Sequence, residues 1–147
     1  MYQFKRITMD SITDSQFDQL VSIAATASPD PFTPEMLKDC IHNLYTVVCL
    51  DGDTVIGYAV VNPNSKKYLG GSLYVVDISV STEHRRQGIG GKMLQTAFNA
   101  FPECHKLSLD VEKENIGAVA LYRKMGFQQS DIQTENIGMY LVMVKEI

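Results

Sequence analysis

Apolar residues first fall into a regular rhythm at Phe17, Leu20, Val21 and Ala24, the i, i+3, i+4, i+7 spacing of a helix with one buried face. Thr13, followed three residues on by Gln16, is a capping box, so a helix of about three turns starts there. Phe4 to Ile7 reads as a short strand ahead of it. Pro29 and Pro31 break the helix, and Thr33-Pro34 reopens one as N-cap plus first-turn proline, with Met36, Leu37 and Ile41 as the apolar stripe. From Thr46 the pattern changes to β-rich runs. Thr46 to Leu50 and Thr54 to Val61 flank the turn Asp51-Gly52-Asp53, which reads as a hairpin. Asn62 to Gly71 is a polar loop and Leu73 to Val80 the next strand. A helix from Gly88 to Phe101 carries Ile89, Met93, Leu94, Ala97 and Phe98 on one side. Leu107, Leu109 and Val111 then alternate with Ser108, Asp110 and Glu112, as in a half-buried strand. Asn115 to Met125 is a helix stopped by Gly126, whose missing Cβ suits a left-handed cap. Phe127 to Gln133 and Gly138 to Val144 close the chain as strands.

This order, β, α, α, β, β, β, α, β, α, β, β, predicts an α+β or mixed α/β fold on one central sheet. No repeat or linker divides it, so residues 1–147 are expected to form a single domain. With 45% hydrophobic residues in 147, the chain can bury a core, which excludes disorder. Thirteen Lys and Arg against seventeen Asp and Glu leave a charge of -4, the wrong sign for nucleic acid and a better match to a cationic partner. Cys40, Cys49 and Cys104 are widely spaced with no C-x-x-C pair, which suggests neither disulfides nor a metal and points to a reducing cytoplasm. The N-terminus lacks a signal-peptide core, and no apolar run approaches the ~18 residues of a membrane span, so no membrane partner is expected.

The informative stretch runs from Ile78 to Lys92, where a strand enters a basic, glycine-rich turn and then a helix. Such a turn leaves the first N–H groups of the helix pointing outward with the positive end of the dipole behind them. Gly88, Gly90 and Gly91 let a phosphate approach the backbone, and Arg85, Arg86 and Lys92 add charge. A pyrophosphate is the expected guest. A P-loop is excluded because Gly91-Lys92 is followed by Met93, and a dinucleotide fingerprint because Met93 stands where the third glycine belongs.

The pattern Arg85-x-x-Gly88-x-Gly90, entered from a strand and opening a helix, resembles the acetyl-CoA-binding signature of the Gcn5-related N-acetyltransferases (GNAT family). Leu109 to Phe127, with Asn115, Ala118-x-x-Leu121-Tyr122 and Gly126-Phe127, looks like the second signature of that family. The resemblance implies a central, mostly antiparallel sheet of six to seven strands with about four helices. In the family the strand at Leu73 to Val80 splays from the one at Lys106 to Glu112 and holds the arm of acetyl-CoA, the cosubstrate. Main-chain groups of Ile78, Ser79 and Val80 would meet the arm. Gln87, Gly88, Ile89, Gly90, Gly91 and Lys92 would cradle the pyrophosphate. Asn115 and Ala118 would lie along the arm, and Tyr122 near the thioester sulfur as general acid.

Asn115 and Tyr122 are seven residues apart, so they share a helix face with the small Ala118 between them. Without the resemblance, Asn115 reads as an ordinary N-cap and Tyr122 as a core aromatic. The base that relieves the incoming ammonium of its proton is Asp110 or Asp77. Asp110 stands where some relatives carry a catalytic glutamate; Asp77 lies on the splayed strand. Glu112 reads as a solvated strand end, and Glu83 and His84 as surface residues. None of the cysteines sits where its thiol would be activated, which favours direct attack by an amine over a covalent route. The expected function is acetyl transfer from acetyl-CoA to a primary amine, with a non-catalytic acyl-CoA sensor as the alternative. Dimers are common in the family, and the C-terminal strands offer an edge for a homodimer.

Overall fold

Thr13 Oγ1 accepts from the Gln16 N–H, and Gln16 Oε1 from the Thr13 N–H, each at 3.0 Å. This is the capping box expected from the sequence, and it starts α1 (Asp14–Ala27). The structure is a computed structural model and describes residues 1–27, 30–64, 71–131 and 138–147. Pro29 and most of the polar loop expected at 62–71 lie outside those residues. The further elements are β1 (Tyr2–Ile7), α2 (Pro34–Asn43), β2 (Tyr45–Asp51), β3 (Thr54–Asn62), β4 (Ser72–Val80), α3 (Ile89–Asn99), β5 (Lys106–Glu112), α4 (Ile116–Lys124), β6 (Gln128–Gln129) and β7 (Tyr140–Glu146). Strand order is β1-β2-β3-β4-β5-β7-β6 in one mixed seven-stranded sheet.

The chain folds as two units, the first being Met1–Asn62 with Val76–Ala100. Its β1, β2 and β3 are antiparallel, and the β2–β3 hairpin turns at Gly52, whose φ of 60° suits glycine. Leu20, Ile23 and Ala24 of α1 and Leu37, Cys40 and Ile41 of α2 pack with Val48, Leu50, Tyr58 and Val60 of the sheet. Each Leu, Ile and Val among them contributes roughly 1.5–3 kcal/mol on burial, so this layer holds α1 and α2 in place. Gly57 is one residue from Tyr58 and faces the other way. A Cβ there would come within 3.2 Å of Met93 Cε in α3 and of the Ser79 carbonyl, so glycine is what lets α3 sit close.

The second unit is Pro63–Val75 with Phe101–Ile147. In it β4 runs parallel to β5 over three pairs, Ser72↔Lys106 to Tyr74↔Ser108. β5 and β7 are antiparallel from Lys106↔Glu146 to Glu112↔Tyr140, and Leu107, Leu109, Val142 and Met143 are buried with Phe127. α4 ends at Gly126, whose φ of 101° is the left-handed cap anticipated from the sequence.

Boundaries move where backbone chemistry overrides periodicity. The last strand begins at Tyr140 because Gly138, at φ 86°, and Met139 form a turn. The strand expected at 127–133 pairs over Gln128–Gln129 alone among the described residues. A 3₁₀ turn at Thr82–His84, unforeseen in the sequence, precedes α3. Ser108, expected on a half-exposed face, is buried because its hydroxyl pairs with that of Ser72 at 2.6 Å. No helix among the described residues is long and apolar enough to cross a membrane. Thr13→Ala removes one half of the capping box and is expected to cost about 1 kcal/mol, read as a shift of the urea midpoint at unchanged slope.

Candidate active site

In the first unit β4 ends at Val80 and the chain turns into α3. The Ser81 N–H donates to the Ile56 carbonyl at 2.8 Å, and Arg85 Nε to the Val80 carbonyl at 3.1 Å, which ties the turn to the strands beneath it. Arg86 adopts φ 67°, the one non-glycine in the left-handed region among the described residues. That conformation costs roughly 1–2 kcal/mol. Gly88 follows at φ 75° as the N-cap of α3.

The helix starts differ in one respect that matters. Thr13, Thr33 and Asn115 each cap their helix by accepting from a backbone N–H in its first turn. Gly88 has no side chain to do so. The first bond that closes α3 is Lys92 N–H to the Gly88 carbonyl at 3.1 Å, so the N–H groups of Ile89, Gly90 and Gly91 stand ahead of it without a side-chain cap. A Cβ on Gly88 or Gly91 would meet nothing within 4 Å, so there is open space beside both α-carbons. Buried Ile89 anchors the helix start while Arg85, Arg86 and Lys92 are exposed. Outward amides, the positive end of a helix dipole and three cations suit a pyrophosphate.

Two tyrosine–aspartate pairs hold the candidate bases. In the first unit the fully buried Tyr58 donates its hydroxyl to Asp77 Oδ2 at 2.6 Å. Burial pushes the Asp77 carboxyl above the ordinary carboxylate value, against the hydrogen bonds from Tyr58 and from the Ile78 N–H. Burial, with Asp77 beside it, also holds the Tyr58 phenol well above its ordinary value, so it remains a donor. In the second unit Tyr74 donates to Asp110 Oδ1 at 2.7 Å, one step along the strand from the buried Ser72–Ser108 pair.

α4 belongs to the second unit. Asn115 is its N-cap, accepting from the Ala118 N–H at 3.1 Å, so its side-chain oxygen serves the helix. The half-buried Tyr122 packs edge-on against Phe127, ring centroids 5.8 Å apart. Asn115 thus meets the plainer reading of an N-cap.

The sequence profile of the acetyltransferase (GNAT) family matches residues 10–127, most of the chain. An N-alpha-acetyltransferase of the archaeon Sulfurisphaera tokodaii is 31% identical over 138 residues, covering 84% of this chain and 80% of its own. The chain belongs to the acetyltransferase (GNAT) family. Human N-alpha-acetyltransferase 30 is 24% identical over 78% of this chain, which spans only 33% of that longer protein. The PaiA N-acetyltransferase of Thermoplasma acidophilum, solved with coenzyme A, has the same fold, with a TM-score of 0.75 at 14% identity over 100% of this chain and 99% of that one. This GNAT member is an acetyl-CoA-dependent N-acetyltransferase, and the mixed sheet and four α-helices among its described residues match the family architecture.

Within the acetyltransferase the first unit carries Asp77, Ile78 to Val80 and Arg85 to Lys92; the second carries Asp110, Asn115, Ala118 and Tyr122. The neighbouring Ile78 N–H partly offsets the burial that raises the Asp77 carboxyl. His84, expected at the surface, is half-buried, and Glu83 and Glu112 are exposed as anticipated. Tyr58 and Tyr74 escaped the sequence reading. The available signal was a phenol inside the apolar run Val55 to Val61, which must find a hydrogen-bond partner.

Asp77 binds its proton more tightly in the fold than in the unfolded chain, where its value is 3.8, so stability falls as pH rises through the raised folded value and stays lower above it. Asp77→Asn keeps an acceptor for Tyr58 and is expected to melt higher than wild type at neutral pH, the gap closing in acid. Cys40, Cys49 and Cys104 are all buried, and burial with Asp39 and Asp77 pushes the Cys40 thiol up to about 11. Iodoacetamide is expected to leave all three unmodified in the native protein and to label them on unfolding; fast labelling before unfolding contradicts this.

Proposed function

We propose that the acetyltransferase moves an acetyl group from acetyl-CoA to the α-amine of a peptide N-terminus by direct attack in a ternary complex, with residues 1–147 acting as one domain. The observation that carries the cofactor half is the α3 start: glycine N-cap, open space beside it and three exposed cations. The names of the archaeal and human relatives, both N-alpha-acetyltransferases, support the acceptor. A net charge of -4, with Arg85, Arg86 and Lys92 assigned to phosphate, favours an acceptor that arrives as a cation. Three buried, unpaired cysteines agree with a cytoplasmic setting. A homodimer through the C-terminal strands belongs to the same proposal.

When bound, acetyl-CoA supplies a thioester already activated for attack. The amides of Gln87 to Lys92 would hold its pyrophosphate, and main-chain groups from Ile78 to Val80, with Asn115 and Ala118, would hold its arm. Asp110 or Asp77 takes the proton that the ammonium must lose before its nitrogen can form the new C–N bond. As the C–S bond breaks, the Tyr122 hydroxyl donates its proton to the leaving sulfur, and the second proton lost by the new amide nitrogen restores the phenol. Each aspartate is oriented for its part by a tyrosine hydroxyl.

The cradle is testable without harming the helix. Gly91→Glu places a carboxylate in open space at a helix N-terminus, where it favours folding, yet sets it against the phosphates. It is expected to raise KM for acetyl-CoA about tenfold or more at an unchanged or higher Tm. An unchanged KM overturns the cradle. Tyr122→Phe is expected to lower kcat by about 10²-fold, and full turnover across the pH range removes it as the acid. On a panel of N-terminal peptides, lysine peptides and polyamines, acetyl-CoA consumption is expected with the first class alone. The aspartate whose change to Asn abolishes the acidic limb of the kcat/KM profile is the base.

A further inference from the structure

The turn that opens α3 is held from a direction the family signature does not include. Tyr2, the first residue of edge strand β1, lies on the half-buried side of that strand with Phe4. Its hydroxyl donates to Gln87 Oε1 at 2.8 Å, across 85 positions of sequence. Its ring meets that of His84 edge-on, with centroids 6.3 Å apart and planes at 75°. His84 in turn shares a 2.6 Å hydrogen bond between its Nδ1 and Ser81 Oγ, and its N–H donates to the Ser81 carbonyl at 3.0 Å. Ser81 is pinned to β3 through the Ile56 carbonyl.

Between the two residues that Tyr2 touches stands Arg86, with its left-handed φ of 67°. A side-chain-bearing residue keeps such a conformation only where its surroundings over-determine it. Here the contacts on either side of it, at His84 and at Gln87, converge on one tyrosine. The other attachments of the turn, from Ser81 and from Arg85 Nε to the Val80 carbonyl, lie on the strand side of Arg86 and do not reach Gln87. Beyond Arg86, the tie from Tyr2 holds Gln87 on the approach to Gly88.

We propose that Tyr2 is a positioning residue for coenzyme A: by clamping Gln87 and His84 it holds the backbone amides of the turn and of the α3 start in the geometry that receives a pyrophosphate. This rests on the cradle proposed above. The benefit is preorganisation. A turn already held in its binding conformation has less freedom to lose when the phosphates arrive, so its contribution appears in affinity and not in the chemical step.

The test uses Tyr2→Phe, which keeps the ring against His84 and removes only the hydroxyl. KM for acetyl-CoA is expected to rise roughly three- to tenfold with kcat unchanged. With S-acetylpantetheine, a thioester donor that has no pyrophosphate, kcat/KM of the variant is expected to equal that of wild type. Combined with Gln87→Ala, the double variant is expected to be no worse than the poorer single, since both remove the same bond. Three results overturn the inference: an unchanged KM for acetyl-CoA, an equal loss with S-acetylpantetheine, which marks a general structural role, or additive effects of the two substitutions. Gly91→Glu separates the two levels of the argument. If it raises KM and Tyr2→Phe does not, only the clamp fails; if neither does, the cradle fails with it.

Discussion

The first N–H groups of any α-helix must be met by something other than the helix, and α3 begins without a side chain to meet them. Thr13, Thr33 and Asn115 spend a side chain on that task at the other helices. At α3 the N-cap is Gly88, the turn before it is strained at Arg86, and no side chain shields Gly88 or Gly91. The strand, turn and helix around it follow from that constraint. β4 delivers the chain, Ile56 and Val80 accept the turn's hydrogen bonds, and Ile89 and Met93 bury the helix against β1, β2 and β3. Gly57, by admitting Met93, sets how close the helix comes.

The two aspartates illustrate how one residue type is kept in two environments. Asp77 is turned toward a core phenol and the adjacent backbone N–H, and desolvation outweighs both in its titration. Asp110 sits one step from a buried serine pair and accepts from Tyr74 at the end of the short parallel ladder. A hydroxyl donor orients a carboxylate while leaving it lone pairs with which to accept a further proton. Both aspartates are held by a tyrosine hydroxyl, and burial raises the Asp77 carboxyl above its ordinary value.

Much of this was readable from the chain. Capping signals are local, so Thr13 with Gln16, Thr33 with Pro34, and Gly126 announced their helix ends. The glycine spacing from Gly88 to Gly91 did the same for the glycine-capped start of α3. What stayed hidden depends on contacts distant in sequence. Tyr2 with Gln87, Tyr58 with Asp77, and Tyr74 with Asp110 lie 85, 19 and 36 residues apart. Hydrophobic periodicity says which face a tyrosine ring occupies but not where its hydroxyl ends. The burial of Ser108 was missed for the same reason, because its partner Ser72 lies on another strand. The start of the last strand moved from Gly138 to Tyr140, where a positive φ overrode the alternation.

The most direct measurement is an amide-resolved NMR titration of the protein with coenzyme A. If the open start of α3 is the pyrophosphate site, the N–H resonances of Gly88, Ile89, Gly90 and Gly91 move first and furthest, and 3′-dephospho-coenzyme A, which keeps the pyrophosphate, reproduces the pattern. Pantetheine, which lacks it, leaves those four resonances in place. Saturation with coenzyme A that moves other amides while these four stand still contradicts the account.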